Sequence, residues 1–275
     1  MSAVVRLRAL ILAAHAGPTV TVTFVIAAVA AAAGRDHGGV LLVAAAVLTG
    51  QLSIGWSNDA RDAERDRRAA RTEKPTVRGE ITAAELWTCA GLALATSVVM
   101  SLVAGGLVGG TAHVVSVLSA WTYNLALKTT VLSWLPYAVS FGLVPVFVTY
   151  GLTPAVAPAT WIVMTCALMG VGAHLANALP DVDSDTLVAA GGLVAAIGAG
   201  PATVATLASL VGAVALLVSH LPLPGALAAG IVTLVAVGAV AVATLGRGRA
   251  LFRFVLLLAA AVVVLLIGSA GSITA

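Results

Sequence analysis

Two short stretches of this chain hold nine of its eleven acidic residues. The first runs Gly55-Trp-Ser-Asn-Asp-Ala-Arg-Asp-Ala-Glu-Arg-Asp66 and continues through Glu73 and Glu80; the second runs Asn177-Ala-Leu-Pro-Asp-Val-Asp-Ser-Asp185. Within them the spacing repeats: Asn58, Asp62 and Asp66 are four apart, and so are Asn177, Asp181 and Asp185. At roughly 100° per residue each trio drifts only about 80° around a helix, so its side chains share one face, and Asp59 adds a group about 100° from Asn58. Two such faces opposed across a cavity would repel unless a cation sat between them. An all-oxygen, acid-rich donor set suits Mg²⁺, which binds through one or two carboxylates together with substrate phosphates. Arg71, Lys74 and Lys128 lie where they can take the remaining phosphate charge. The chemistry expected is a Mg²⁺–diphosphate site. The other acids near the helix ends, Glu64, Glu80, Glu85 and Asp183, read as solvated residues at a water boundary, with most of Arg65–Arg68.

The elements that carry these clusters belong to a membrane. Hydrophobic residues make up 60% of the chain and charged residues 9%, with mean hydropathy +1.09. Aqueous domains carry nearer a quarter charged residues. Apolar runs fall at about 10–33, 38–57, 83–108, 110–127, 130–151, 156–178, 202–220, 223–245 and 251–271, each long enough to cross a bilayer core as a helix. They lack strand-like alternation, and backbone polar groups in lipid must be satisfied within the segment. The expected fold is therefore an all-α membrane protein of about nine transmembrane helices around a central apolar cavity, a single domain over residues 1–275. The stretch 186–200 is short enough to lie along the interface or re-enter. The opening run resembles a signal peptide but continues to Ala33, so it reads as part of the first span.

With nine spans and the N-terminus inside, thirteen of the fourteen Lys and Arg residues lie on one side and only Arg35 on the other. By the positive-inside rule that side is cytoplasmic, in the cell membrane. The acid clusters follow the second and sixth spans, on the same side. The basic pI of about 9.2 is thereby explained by topology, and nucleic acid is not an expected partner. Cys89 and Cys166 sit singly in apolar runs, as small core residues. The five histidines are scattered; His174, near the second trio, reads as a residue of packing or of a local hydrogen bond. Membrane lipids surround the protein, and nothing in the sequence points to a protein partner.

The run Asn58-Asp59-x-x-Asp62-x-x-x-Asp66 resembles the first aspartate-rich signature of the UbiA superfamily of intramembrane prenyltransferases. Arg71-Thr72, Lys74-Pro75 and Gly79-x-Ile81 extend the likeness, and Asp181-x3-Asp185 is similar to the second signature. Tyr123 and Lys128 resemble a Tyr-x3-Lys element, here with a gap of four. The resemblance implies transfer of a prenyl group from an allylic diphosphate to a lipophilic acceptor. It implies Asp59, Asp62, Asp66, Asp181 and Asp185 as Mg²⁺ ligands, with Asp59, Asp62 and Asp181 essential to catalysis. Asn58, Arg71, Lys74, Tyr123, Lys128 and Asn177 would hold the diphosphate.

This chain departs from the family pattern after Asp185, where it reads Thr186-Leu-Val-Ala-Ala-Gly-Gly in place of a basic residue and glycine, and at Ala178, which is acidic in some members. Pro180 is expected to kink or end the sixth helix. The rival readings are a terpene cyclase on the same fold, which needs no acceptor, and an ion-coupled secondary transporter. Transporters place acids near the bilayer midplane on broken helices; these lie at span ends.

Overall fold

Every regular element is helical in the structure, a computed structural model that describes residues 2–182, 191–246 and 250–268. The first expected span is two helices, α1 (Ala3–Ala13) and α2 (Ala16–Ala32), bent by 63°. Pro18 accounts for the break, because it has no N–H to donate and its ring clashes with the carbonyl four residues back, that of Ala14.

Helix α3 (His37–Arg68) begins at Asp36, whose carboxylate accepts the Gly39 N–H, and runs unbroken for 32 residues. That is about 48 Å, against ~30 Å of hydrocarbon. Its last turns therefore project beyond the apolar layer, and they carry the first acid cluster. The apolar span was expected to end at residue 57, and the helix that the four-residue spacing implied for the acids continues it without a break.

Helix α4 (Ala83–Thr122) starts in a capping box, with Thr82 and Glu85 each bonding the other's backbone N–H. Midway, Gly106 adopts φ 63 and ψ −164 and the chain reverses. Ser101 Oγ meets His113 Nδ1 at 2.7 Å, groups that a straight helix would hold about 18 Å apart. A Cβ on Gly105 would lie 2.5 Å from Gly110 N, and one on Gly110 2.7 Å from Leu102 Cα. The expected fourth span is thus the return leg of a tight hairpin.

A π-helical turn follows at Tyr123–Leu127. Helices α5 (Leu135–Gly142) and α6 (Val144–Thr149) share the next apolar run, each with a proline in its first turn. Helix α7 (Thr160–Ala178) gives way to a 3₁₀ turn, Leu179–Asp181, around Pro180. Within 186–200 the described residues form α8 (Leu193–Ile197), which Gly198 (φ 81) joins to α9 (Ala199–Ser219). Helices α10 (Gly225–Leu245) and α11 (Ala250–Gly268) complete the chain described.

Among the described residues five helices are long and apolar enough to cross a membrane, or six if α1 and α2 form one span. The expected nine exceeds this because α4 holds two legs in one continuous element, and because Leu135–Thr149 and Ala250–Val262 are shorter runs. Leu227, Leu234, Val237 and Leu245 on α10 stay exposed, an apolar face suited to lipid and costly in water.

The core falls into two main clusters. One joins Ile26, Val43, Val47, Ala104, Phe147 and Val148, from α2, α3, α4 and α6. The other joins Met169, Ala173, Leu210, Val214, Val255 and Leu258, from α7, α9 and α11. The first acid cluster leaves the end of the former, beside the α1–α2 bend.

Candidate functional site

Asp59, Asp62 and Asp66 of α3 each meet a basic residue from beyond the helix, while Arg65 also donates to Asp62 at 3.0 Å and Arg71 also to Glu73 at 2.9 Å. Lys74 Nζ donates to Asp59 Oδ1 at 2.7 Å, Lys128 Nζ to Asp62 Oδ2 at 2.5 Å, and an Arg71 Nη to Asp66 Oδ1 at 3.3 Å. These are the three cations expected from the sequence as phosphate ligands. Asn58 Oδ1 also accepts from Lys128 Nζ, at 3.2 Å. Asp59 and Asp66 are 1% exposed. They are seven residues apart and so nearly in phase on the helix, turned toward the loop after α3, whereas Asn58 and Asp62 lean toward Lys128.

Local backbone geometry sets two of these pairs. Helix α3 ends in a Schellman arrangement: Ala70 N–H donates to Arg67 O, Arg71 N–H to Asp66 O, and Ala70 takes φ 50. This termination usually employs glycine. It turns the chain so that Arg71 lies over Asp66 with both backbone and side chain. Arg78 then folds the loop back, donating to the carbonyls of Thr72 and Glu73 and to the Glu80 carboxylate. The Arg78 pairing holds the Glu80 carboxyl below its ordinary range. Lys74 is carried inward on this fold, to 15% exposure.

On the other side, Lys128 ends the π turn, its N–H donating to Tyr123 O at 2.9 Å. Asn124, within that turn, donates to Ile54 O and Ser57 Oγ, both at 3.0 Å, and fixes it to α3. Arg61, Asp62, Arg65, Asn124, Lys128 and Thr129 line a cleft between the two. The Tyr123 ring stands edge-on to Tyr137 and to His174, at centroid distances of 5.3 and 5.8 Å. His174 Nε2 lies 2.9 Å from Ser133 Oγ, which also accepts the Leu193 N–H at 3.0 Å. This links α7, the loop after Lys128 and the chain beyond the second acid cluster.

The second cluster is seen only in part. Asn177 sits half-buried on the last turn of α7, and the backbone of Asp181 lies in the 3₁₀ turn. The side chain of Asp181, and all of Asp183 and Asp185, lie outside the described residues.

The first cluster fits a divalent cation. Asp59 Oδ2 and Asp66 Oδ2 are buried without a hydrogen-bond partner, while Oδ1 of each carries the ion pair. A buried anionic oxygen left unpaired is costly, and a hard cation with oxygen ligands satisfies it. Among the described residues no three His, Cys, Asp or Glu side chains group closely enough to hold a metal alone. Phosphate oxygens, water or the second cluster must complete such a shell.

The model of the UbiA prenyltransferase family matches residues 19–255. The chain belongs to this family. Three solved structures share its fold. A UbiA homologue from Archaeoglobus fulgidus, bound to GPP and Mg²⁺, is 14% identical with TM-score 0.71, over 95% of this chain and 98% of that one. A digeranylgeranylglyceryl phosphate synthase is 16% identical with TM-score 0.69, over 96% and 98%. The apo UbiA homologue from Aeropyrum pernix K1 is 22% identical with TM-score 0.66, over 90% and 95%. No curated protein matches the chain.

The π turn accommodates the four residues between Tyr123 and Lys128. A π turn is an α-helix with one residue inserted. The Lys128 N–H reaches back five residues to Tyr123 O, so the lysine returns to the phase that a gap of three gives in an α-helix.

Sequence reasoning missed His15, whose Nε2–H donates to Asp59 Oδ1 at 2.9 Å. A signal was present. His15 stands just ahead of Ala16-Gly17-Pro18, and a proline in a helix's first turn marks where that helix begins. Asn124 and Arg78 were also missed, and neither has a signal beyond its place beside a motif.

Proposed function

We propose that this UbiA-family chain is a Mg²⁺-dependent prenyltransferase, moving a prenyl group from an allylic (poly)prenyl diphosphate to an aromatic or other lipophilic acceptor within the membrane. The observation that carries the reading is the set of ion pairs that joins Asp59, Asp62 and Asp66 to Lys74, Lys128 and Arg71, three cations brought from outside the helix. Three acids and three bases in contact at the end of a membrane helix can exchange partners when an anionic ligand arrives with its cation. Bound Mg²⁺ would sit on Asp59, Asp62 and Asp66 with Asp181 and Asp185, and would neutralise charge on the leaving diphosphate. Lys74, Lys128 and Arg71 then turn to phosphate oxygens, with Asn58, Tyr123 and Asn177 as further contacts. Apolar helices keep water from the allylic cation until the acceptor attacks. Related structures support the donor class: a UbiA homologue from Archaeoglobus fulgidus is bound to GPP and Mg²⁺ in one and to DMAPP and Mg²⁺ in another.

The reading includes nine crossings in a single domain: α1–α2, α3, the two legs of α4, α5–α6, α7, α9, α10 and α11. The reversal at Gly106 supports counting α4 twice. Nine crossings put the N-terminus and both acid clusters on the cytoplasmic side, where the positive charges gather.

The test incubates purified protein with Mg²⁺ and one prenyl diphosphate at a time, from C10 upward, with and without a membrane extract as acceptor source. Pyrophosphate release that needs the extract supports transfer. Brisk acceptor-free turnover to a cyclic hydrocarbon would make the chain a terpene cyclase, and no consumption of any donor would remove the enzyme reading.

A further inference from the structure

The α1–α2 bend is built against α3. Trp56 Nε1 donates to Leu10 O at 2.9 Å, and Thr19 Oγ1 donates to Ala14 O at 2.7 Å. Ala14 rests on Gly55 so closely that a Cβ there would lie 2.8 Å from Ala14 O and 3.0 Å from its Cα. Ala9, Ala13, Ala60, Ile81 and Leu86 close the same contact from below. At the apex His15 adopts φ 52 and ψ 57, a left-handed conformation uncommon outside glycine and asparagine. Strained backbone of this kind persists where the surroundings over-determine it, and here the surroundings aim one side chain at one acid.

His15 Nε2–H and Lys74 Nζ both donate to Asp59 Oδ1, at 2.9 and 2.7 Å. Asp59 Oδ2 receives nothing and is buried. With a longer contact from Asn58 Nδ2 at 3.5 Å, these donors on one oxygen fix the carboxylate's rotation and leave the other oxygen for a cation. Lys74 and His15 differ in freedom. Lys74 stands on a loop with a flexible four-carbon stem, able to leave for a phosphate, whereas His15 is held by a helix bend clamped to α3.

We propose that His15 is a positioning residue of the metal–diphosphate site: it keeps Asp59 turned with Oδ2 toward the cation once Lys74 has moved to the diphosphate. This rests on the function proposed above. Outer partners that orient a ligating carboxylate typically change metal affinity by roughly 10–100-fold when removed.

The test uses the full chain in detergent, with inorganic pyrophosphate as the anion and melting temperature as the readout, titrated with Mg²⁺; kcat and KM for a prenyl diphosphate are measured alongside. Wild type should be stabilised by Mg²⁺ with pyrophosphate. H15G suits the left-handed backbone and removes the side chain. It should keep its metal-free melting temperature and require roughly tenfold more Mg²⁺ or above for half-saturation. H15Q restores a donor near the Nε2 position and should recover most of that affinity. If H15G does not fold, H15N replaces it, since asparagine tolerates the backbone but falls short of Asp59. A Mg²⁺ titration of H15G or H15N matching wild type would leave His15 a helix-bend residue only. H15Q as impaired as H15G would show that the bond to Asp59 is not the cause. A wild type that ignores Mg²⁺ and pyrophosphate would remove the proposed function before any variant is compared, and this inference with it.

Discussion

Gly192 packs directly on the backbone of Lys128: a Cβ at Gly192 would lie 2.6 Å from Lys128 O and 2.6 Å from Ser133 Oγ. The chain that returns from the second acid cluster is thus seated on the residue that binds the first. Adding one methyl group must push these segments apart, and overpacking of this kind costs about 1–3 kcal/mol. Gly192→Ala is expected to lower the melting temperature by several degrees and to raise KM for the prenyl diphosphate more than it lowers kcat. An unchanged KM would mean that the two segments are not coupled through this contact.

The acids of α3 are paired, and this sets the sign of a stability change. An unpaired acidic strip would gain from losing a charge. In the structure Asp59→Ala instead strands Lys74, at 15% exposure, without its partner. The variant should lose turnover by orders of magnitude and also lose about 1–3 kcal/mol of stability. Combining it with Lys74→Ala should return most of the stability and none of the activity. A rise in melting temperature for Asp59→Ala alone, measured without metal, would contradict the pairing.

Metal removal separates the proposed chemistry from the ion pairs. Treatment with EDTA should abolish turnover while the protein stays folded, because Lys74, Lys128 and Arg71 neutralise the acids in the cation's absence. Mg²⁺ should restore activity, and Zn²⁺, which prefers nitrogen and sulfur ligands, should restore little. Full turnover in metal-free buffer would refute the diphosphate clamp.

The membrane class was legible because long apolar runs in lipid must be helical. The four-residue spacing put Asn58, Asp62 and Asp66 on a helix, and the structure divides them, Asp66 turning with Asp59 toward the loop and Asn58 with Asp62 toward Lys128; Arg71, Lys74 and Lys128, expected as phosphate contacts, lie against these acids. What stayed hidden depends on backbone events that hydropathy does not record. The apolar run through residues 10–33 continues past His15, so the bend that delivers His15 to Asp59 is silent except for Pro18. The α3 helix continues through Arg68 because nothing between Trp56 and Arg68 breaks it; only hydrophobicity stops at residue 57. The turn in α4 lies at Gly106, one of four glycines in a six-residue stretch whose order does not reveal which one reverses the chain.

The π turn offers the sharpest test of how Lys128 reaches its acid. If Tyr123–Leu127 is an α-helix with one residue added, taking one out should restore the α-helix without rotating Lys128 away. Deleting Ala126, whose methyl group is the smallest side chain of the turn, should leave the lysine within reach of Asp62 and preserve activity within a few-fold. Inserting a further alanine at the same place gives no regular helix that keeps the phase; it turns the lysine by about 100° and should cost as much activity as Lys128→Ala. Steady-state kinetics of the three variants, with melting temperatures to confirm folding, decide the matter. If the deletion is as inactive as Lys128→Ala while still folded, the widened turn itself shapes the cleft beside Asn124, and phase alone does not explain the extra residue.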